Sequence, residues 1–189
     1  MLMRGLLRHF RRDKNGLAAV EFALILPAML VLFFGVTEVS QMLDARAAVT
    51  NIVSVTADLV AQKSTVTQND VSEVFGAAKT MLYPHDATAA HIKVSSIVYD
   101  TVSKSLTSGK VAWSCAKHDV PRNVGDTVTL PEEMMTVGGS VIVSEITYDY
   151  SSPVSKLVVG AFSMKNTFYT KPRRVMSISG PAANSCTTT

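Results

Sequence analysis

The sequence predicts an α+β protein: a long N-terminal membrane-spanning stem helix, a small helix and a mainly antiparallel sheet. Three observations lead to this fold class. An apolar run begins at Leu17, apolar residues then recur at helical spacing as far as Gln62, and from His91 the spacing becomes the two-residue period of strands. The predicted divisions are a basic leader at 1–16, a membrane and stem helix at 17–62 and an exported α+β domain at 63–189.

The leader accounts for the basic character of the chain. It contains five cationic residues and one acidic residue, whereas the rest of the chain has 13 basic and 14 acidic side chains and therefore a charge of −1. The whole-chain charge of +3 thus gives no reason to expect nucleic-acid binding. Positive charge beside a membrane span stays in the cytoplasm. We therefore expect a single-pass membrane protein whose N-terminus stays in the cytoplasm and whose C-terminal domain is exported.

The segment from Leu17 to Val36 contains one charged residue, Glu21. At about 1.5 Å per residue a helix of this length spans roughly 30 Å, the thickness of a bilayer's hydrocarbon core. We place the membrane part at about 17–38. An ionised carboxylate there costs about 2.5 kcal/mol or more on insertion scales, so Glu21 needs a partner or a role. A cut after Gly16 would supply an ammonium four residues away, on the same helix face; in a plain anchor, the carboxylate would only reach toward the interface.

The N-terminal part of the chain resembles a known family of membrane proteins. Its matching residues are Asn15-Gly16, the run Ala18-Ala19-Val20-Glu21-Phe22-Ala23-Leu24 and Pro27, all after a basic leader. This pattern is similar to a type IV prepilin-like signal, and more closely to the TadE/TadG-like family of tight-adherence (Flp-type) pilus proteins. The close similarity extends from Lys14 to Ala48.

The resemblance implies roles for four residues. In that family an aspartyl prepilin peptidase cuts after the glycine, so Gly16 would end the leader and Leu17 would begin the mature chain. Glu21 would be the fifth mature residue and, with Phe22, would take part in subunit assembly. The implied partners are the membrane, the prepilin peptidase, other pilins and the platform proteins of pilus assembly.

The stem helix is expected to continue beyond the membrane because the chain has no Gly or Pro between Val36 and Gln62. Its packing stripe is predicted at Val39, Leu43, Ala47, Val49, Ile52, Val53, Leu59 and Val60. A second helix should begin at a cap at Thr67 or Asn69 and end before Tyr83-Pro84. Its buried stripe is predicted at Val71, Val74, Phe75, Ala78 and Leu82.

About four strands are expected after the second helix, and their order cannot be derived from the sequence. Alternation predicts shared faces for Val111, Trp113 and Cys115, for Ile142, Ile146, Tyr148 and Tyr150, and for Phe162, Met164 and Phe168. Residues 117–133 are expected to form a loop, and Pro153 to start a short helix ending near Gly160. The tail from Gly180 should be loose apart from a tether at Cys186.

The chain has two cysteines, Cys115 and Cys186. In an exported domain they are expected to form a disulfide. The closed loop of about 70 residues corresponds to a nominal stabilisation of about 4 kcal/mol. The alternative is a thiol nucleophile or metal site in Cys115-x-x-His118-Asp119, which the lack of a CxxC motif and of a further clustered ligand disfavours.

Common catalytic motifs are absent from the sequence: GxSxG, HExxH, GxxxxGK[ST] and GxGxxG do not occur. We therefore predict a non-enzymatic protein without cofactor, metal or small-molecule substrate, namely a pseudopilin-like or minor pilin component of a tight-adherence pilus or secretion apparatus. The alternative is an uncleaved, membrane-anchored periplasmic binding protein or enzyme, recognisable by a pocket with convergent polar groups, for example near His118 and Asp119. A membrane accessory protein that never enters the filament is a third possibility.

Overall fold

The computed structural model describes residues 15–152, 162–181 and 186–188. Its elements are the helices α1 (Asn15–Ala61) and α2 (Gln68–Met81), and the strands β1 (Ala90–Tyr99), β2 (Ser108–Lys117), β3 (Thr127–Thr129), β4 (Ser140–Tyr150), β5 (Phe162–Thr170) and β6 (Thr187–Thr188). The α+β fold class is confirmed. The predicted leader as far as Lys14 and the predicted short helix after Ser152 lie outside the described residues.

The chain forms two compact units, one ending at Gln41 and one beginning at Met42. Helix α1 runs through both units for 47 residues, and Pro27 lies inside it. In the first unit every residue from Gly16 to Val36 is exposed. By length and composition this helix is able to cross a membrane once.

The second half of α1 contributes one face to the core of the second unit. Its buried residues are Ala45, Val49, Ile52, Val53, Thr56, Ala57, Val60 and Ala61. Three members of the predicted stripe, Val39, Leu43 and Ala47, are exposed instead. Residues two apart on a helix are separated by about 200°, so Leu43 and Ala47 face away from Ala45. The predicted stripe was therefore wrong at its N-terminal end.

Helix α2 begins at the predicted cap. The Thr67 hydroxyl accepts a hydrogen bond from the Asp70 backbone N–H at 3.2 Å, and the Asp70 carboxylate accepts one from the Thr67 N–H at 2.9 Å. This reciprocal pair satisfies two backbone donors that the helix leaves unpaired. The predicted stripe is confirmed, since Val71, Val74, Phe75, Ala78 and Leu82 are all buried.

The strands form one sheet with the order β3-β2-β1-β4-β5, and β6 pairs with β2 outside this path. Strand β1 is antiparallel to both β2 and β4. Two strands were not predicted: β3, in the expected loop at 117–133, and β6, in the expected loose tail. They have three and two residues, and alternation is not recognisable over such lengths.

A bulge in β2 changes the face on which Val111 lies. Ser96 pairs with Trp113 and Ile97 with Val111, which leaves Ala112 as an extra residue. Such an insertion shifts the alternation of the bulged strand. The prediction that Val111 shares a face with Trp113 and Cys115 was therefore wrong.

The two faces of the sheet carry separate cores. The first contains Ile92, Trp113, Ile142 and Ile146 together with the buried faces of α1 and α2. The second consists of Ile97, Val111, Leu130, Met135, Val141 and Val143. The predicted last strand is confirmed as β5. Of the three residues predicted to alternate along it, Met164 is buried, whereas Phe162 and Phe168 are 48% and 40% exposed.

Candidate functional site

The predicted processing and assembly residues lie at the start of α1. Gly16 and Leu17 fall in its first turn, and Glu21 and Phe22 follow one turn later. All four are exposed, Leu17 and Phe22 by about 60%. Within the described part of the chain, Glu21 has no hydrogen bond or ion pair to another residue. The helix thus presents an uncompensated carboxylate on an otherwise apolar surface.

No contact in the described part of the chain requires a glycine at position 16. A Cβ built at this position would meet nothing within 4 Å. Packing within the described residues therefore does not require a glycine at this position.

The two cysteines form a disulfide in the second unit. Cys115 on β2 and Cys186 before β6 have Cα atoms 4.6 Å apart and are bonded through their sulfurs. Both residues are buried, and the Ala116 N–H donates to the Cys186 carbonyl at 3.1 Å. The predicted disulfide is confirmed. The thiol-nucleophile alternative is wrong because the Cys115 sulfur is part of this bond.

The tail is ordered where the structure describes it. The Trp113 indole N–H donates to the Ile178 carbonyl at 2.9 Å, and Ile178 is buried. The Val66 N–H donates to the Ser179 carbonyl at 2.8 Å. The expected tether at Cys186 is confirmed. The tail also contacts the core at Gly180, which lies against the Trp113 ring, and at 187–188, which pair with β2, so it is less loose at these positions than expected.

The polar residues near His118 stabilise the ends of β1 and β2. The His118 Nδ1 lies 3.1 Å from the Ala90 carbonyl, and the His118 carbonyl accepts a hydrogen bond from the His91 ring. Lys93 pairs with Asp119 at 3.1 Å. Burial raises the pKa of Asp119, but the Val120 N–H and the Lys93 ammonium together bring it below its ordinary value. In the described ranges, no group of three His, Cys, Asp or Glu residues could hold a metal ion.

A cavity of about 210 Å³ lies beside these residues, among α1, α2 and the start of β1. His118 lines it, as the binding-protein alternative requires, whereas Asp119 does not. Lys79 and Lys117 also line it, and no pattern in the sequence pointed to either lysine as a site residue. They are 38 residues apart in the chain, and only the pairing of β1 with β2 brings Lys117 next to α2.

Among the described residues, one helix is long and apolar enough to cross a membrane, which indicates single-pass membrane anchoring. Residues 16–58 match the model of the TadE-like protein family. The resemblance inferred from the residues is thereby confirmed over this segment, which indicates a Tad pilus-associated protein. No curated protein matches the chain significantly, and neither does any solved structure.

Proposed function

We propose that this protein is a pseudopilin-like or minor pilin component of a tight-adherence (Flp-type) pilus or secretion apparatus. It is made as a precursor that a prepilin peptidase cleaves after Gly16. One observation carries the proposal: the TadE-like match begins at Gly16, where the exposed apolar segment of α1 that extends to Val36 also begins. The role is structural, with no catalytic residue and no cofactor.

The basic leader supports a cytoplasmic N-terminus and a periplasmic C-terminal domain. The buried disulfide between Cys115 and Cys186 supports the same orientation, because disulfides persist in the bacterial periplasm and are rare in the cytosol. The location that follows is the inner membrane, and the pilus after processing.

Cleavage would change the electrostatics of the membrane segment. The new ammonium of Leu17 would lie at the N-terminus of the helix, where the helix dipole already places a partial positive charge. The Glu21 carboxylate, one turn away, would compensate both the ammonium and this partial charge. The carboxylate of one subunit could equally pair with the ammonium of a neighbour. Phe22 and the other exposed apolar side chains would pack against the helices of other pilins and platform proteins.

The N-terminal residue of the mature protein tests this proposal. Protein purified from cells with an active prepilin peptidase should begin at Leu17. Protein from peptidase-deficient cells should begin at Met1 or at the residue after it, and serves as the control. Retention of all 16 leader residues in peptidase-competent cells would contradict the proposal.

The second candidate is an uncleaved, membrane-anchored periplasmic binding protein or enzyme. The cavity beside His118 favours it. In that case the protein keeps its leader and stays in the membrane fraction. A cleaved protein that is absent from sheared pili would instead be a membrane accessory factor of assembly.

A further inference from the structure

The floor of the cavity beside His118 is apolar. Ile52 of α1, Phe75 and Leu82 of α2 and Ile92 of β1 line it, and each is at most 4% exposed. A cavity of about 150 Å³ lined by such side chains holds benzene. A volume of about 210 Å³ therefore fits a ring with a short substituent, or an alkyl chain of similar size.

The rim of the cavity is cationic. Lys79 lies in the last turn of α2 and Lys117 at the end of β2, and both line the cavity. In the part of the chain that the structure describes, neither forms an ion pair, in contrast to Lys63, Lys93 and Lys110. Two ammonium groups at the edge of an apolar pocket attract an anion.

Two acidic residues, Asp86 and Asp119, adjoin cavity-lining residues in the sequence, and both already accept hydrogen bonds or form an ion pair elsewhere. Asp86 accepts hydrogen bonds from the Thr88 N–H at 2.9 Å and from its hydroxyl at 2.7 Å. Asp119 pairs with Lys93. His118 donates through Nδ1 to the Ala90 carbonyl, so Nε2 of the neutral ring is an acceptor and contributes no hydrogen bond to an anion. Asp86 keeps its charge, but its recorded hydrogen bonds go to Thr88, and within the described residues no ion pair joins an acidic side chain to Lys79 or Lys117.

We infer that this cavity binds a small apolar monocarboxylate. The aryl or short alkyl group occupies the apolar floor, and the carboxylate lies between Lys79 and Lys117. The sequence analysis predicted no small-molecule ligand, and this inference departs from that prediction. It is independent of processing at Gly16, because every residue that forms it belongs to the unit that begins at Met42.

Phenylacetate is a suitable probe, and 2-phenylethanol is its uncharged counterpart. Titration of the full chain in detergent micelles, followed by ligand-observed NMR, measures both dissociation constants. We expect phenylacetate to bind at least about tenfold more tightly than the alcohol, a difference of about 1.4 kcal/mol. The double variant Lys79→Gln/Lys117→Gln should weaken phenylacetate binding at least tenfold and leave the alcohol unaffected.

The matched control is Lys104→Gln/Lys110→Gln, at the opposite end of the β1–β2 hairpin, which should bind phenylacetate like the wild type. Ala78→Leu fills the cavity and should abolish binding of both probes, with circular dichroism verifying the fold. Equal affinity for the acid and the alcohol would overturn the inference. So would unchanged binding in the Lys79/Lys117 double variant, or no saturable binding of phenylacetate to the wild type.

Discussion

The indole N–H of Trp113 donates a buried hydrogen bond of 2.9 Å to the backbone carbonyl of Ile178, 65 residues further along the chain. Gly180 lies against the same indole ring. The segment around Ile178 therefore covers the tryptophan side of the first core. Six residues further on, Cys186 is bonded to Cys115, two residues from Trp113 on the same strand. The C-terminal segment is thus attached to β2 at two neighbouring points.

Replacing Gly180 by alanine should destabilise the second unit. A Cβ at this position would overlap the Trp113 ring, so either the ring or the C-terminal segment must move. Overpacking of this kind costs about 1–3 kcal/mol. Urea unfolding of the purified chain, followed by tryptophan fluorescence, measures the loss.

Gly76→Ala is the matched control for this substitution. Gly76 lies in α2, and a Cβ there would meet nothing within 4 Å. The added methyl group should stabilise the helix by about 0.5–1 kcal/mol. Equal unfolding free energies for the two variants would show that the contact between Gly180 and Trp113 is absent in solution.

Cys186→Ser should lower the free energy of unfolding by about 4 kcal/mol in the chain-entropy model, because the disulfide closes a loop with a sequence separation of 71. Thermal unfolding monitored by circular dichroism measures the change. Reduced wild-type protein should unfold like the variant. A wild-type chain whose two thiols react with an alkylating reagent without prior reduction would contradict the disulfide.

Asp70 should make the stability of the second unit sensitive to acid. The hydrogen bond from the Lys63 ammonium, followed by those from Thr67, holds the pKa of Asp70 well below its ordinary value. A lowered folded-state pKa means that the stabilisation is present above about pH 4 and is lost as pH falls through the folded-state value.

The melting temperature of Asp70→Asn should therefore lie below that of the wild type at pH 7, and the difference should shrink toward pH 2. Glu132→Gln is a suitable control, since Glu132 is exposed and forms no hydrogen bond or ion pair to another residue in the described ranges. A constant difference across this pH range would show that Asp70 is not responsible.

Gly16→Val should block removal of the leader and leave the protein in the membrane. The fold of α1 tolerates the side chain, because nothing lies within 4 Å of a Cβ at this position. Electrophoresis of membrane fractions should show a variant that is larger than the cleaved wild-type protein by the 16 leader residues. Gly35→Val, an equally open site on the same helix, should be cleaved normally. Cleavage of the Gly16 variant would contradict the proposed site.

Glu21→Ala should leave the protein inserted and cleaved but impair its assembly. The variant would strand the ammonium of Leu17 in a low-dielectric environment, and breaking a buried pair costs about 3–5 kcal/mol. Pili sheared from cells and quantified by immunoblot should fall roughly tenfold or more. Glu38→Ala, the next carboxylate on α1, should assemble normally. Normal piliation with Glu21→Ala would rule out the proposed role.

Local signals predicted the helices well. The cap at Thr67, the end of α2 before Pro84 and the apolar run from Leu17 depend on neighbours within a few residues, and the structure follows them. The TadE-like resemblance was likewise visible in a short segment near Gly16. Such features are determined by hydrogen bonds and side-chain contacts one turn apart.

The face of Val111 could not be predicted, because the bulge at Ala112 is defined by the pairing of β2 with β1. The exposure of Phe162 and Phe168 could not be predicted either. Both alternate regularly along β5, and they are exposed because β5 lies at the edge of the sheet. In both cases the environment of a side chain depends on which strand lies beside it, and strand order leaves no trace in local spacing.

By itself, the sequence determined an apolar helix long enough for a bilayer, with a lone carboxylate one turn after Leu17, and a cysteine pair in the domain that follows. Only the tertiary structure decided that Ile178 and Gly180 close over Trp113 and that Lys79 and Lys117 meet at one apolar cavity. The physical reason is the range of the interactions. Helix formation and membrane insertion depend on consecutive residues, whereas core closure and pocket formation depend on residues that only the folded sheet brings together.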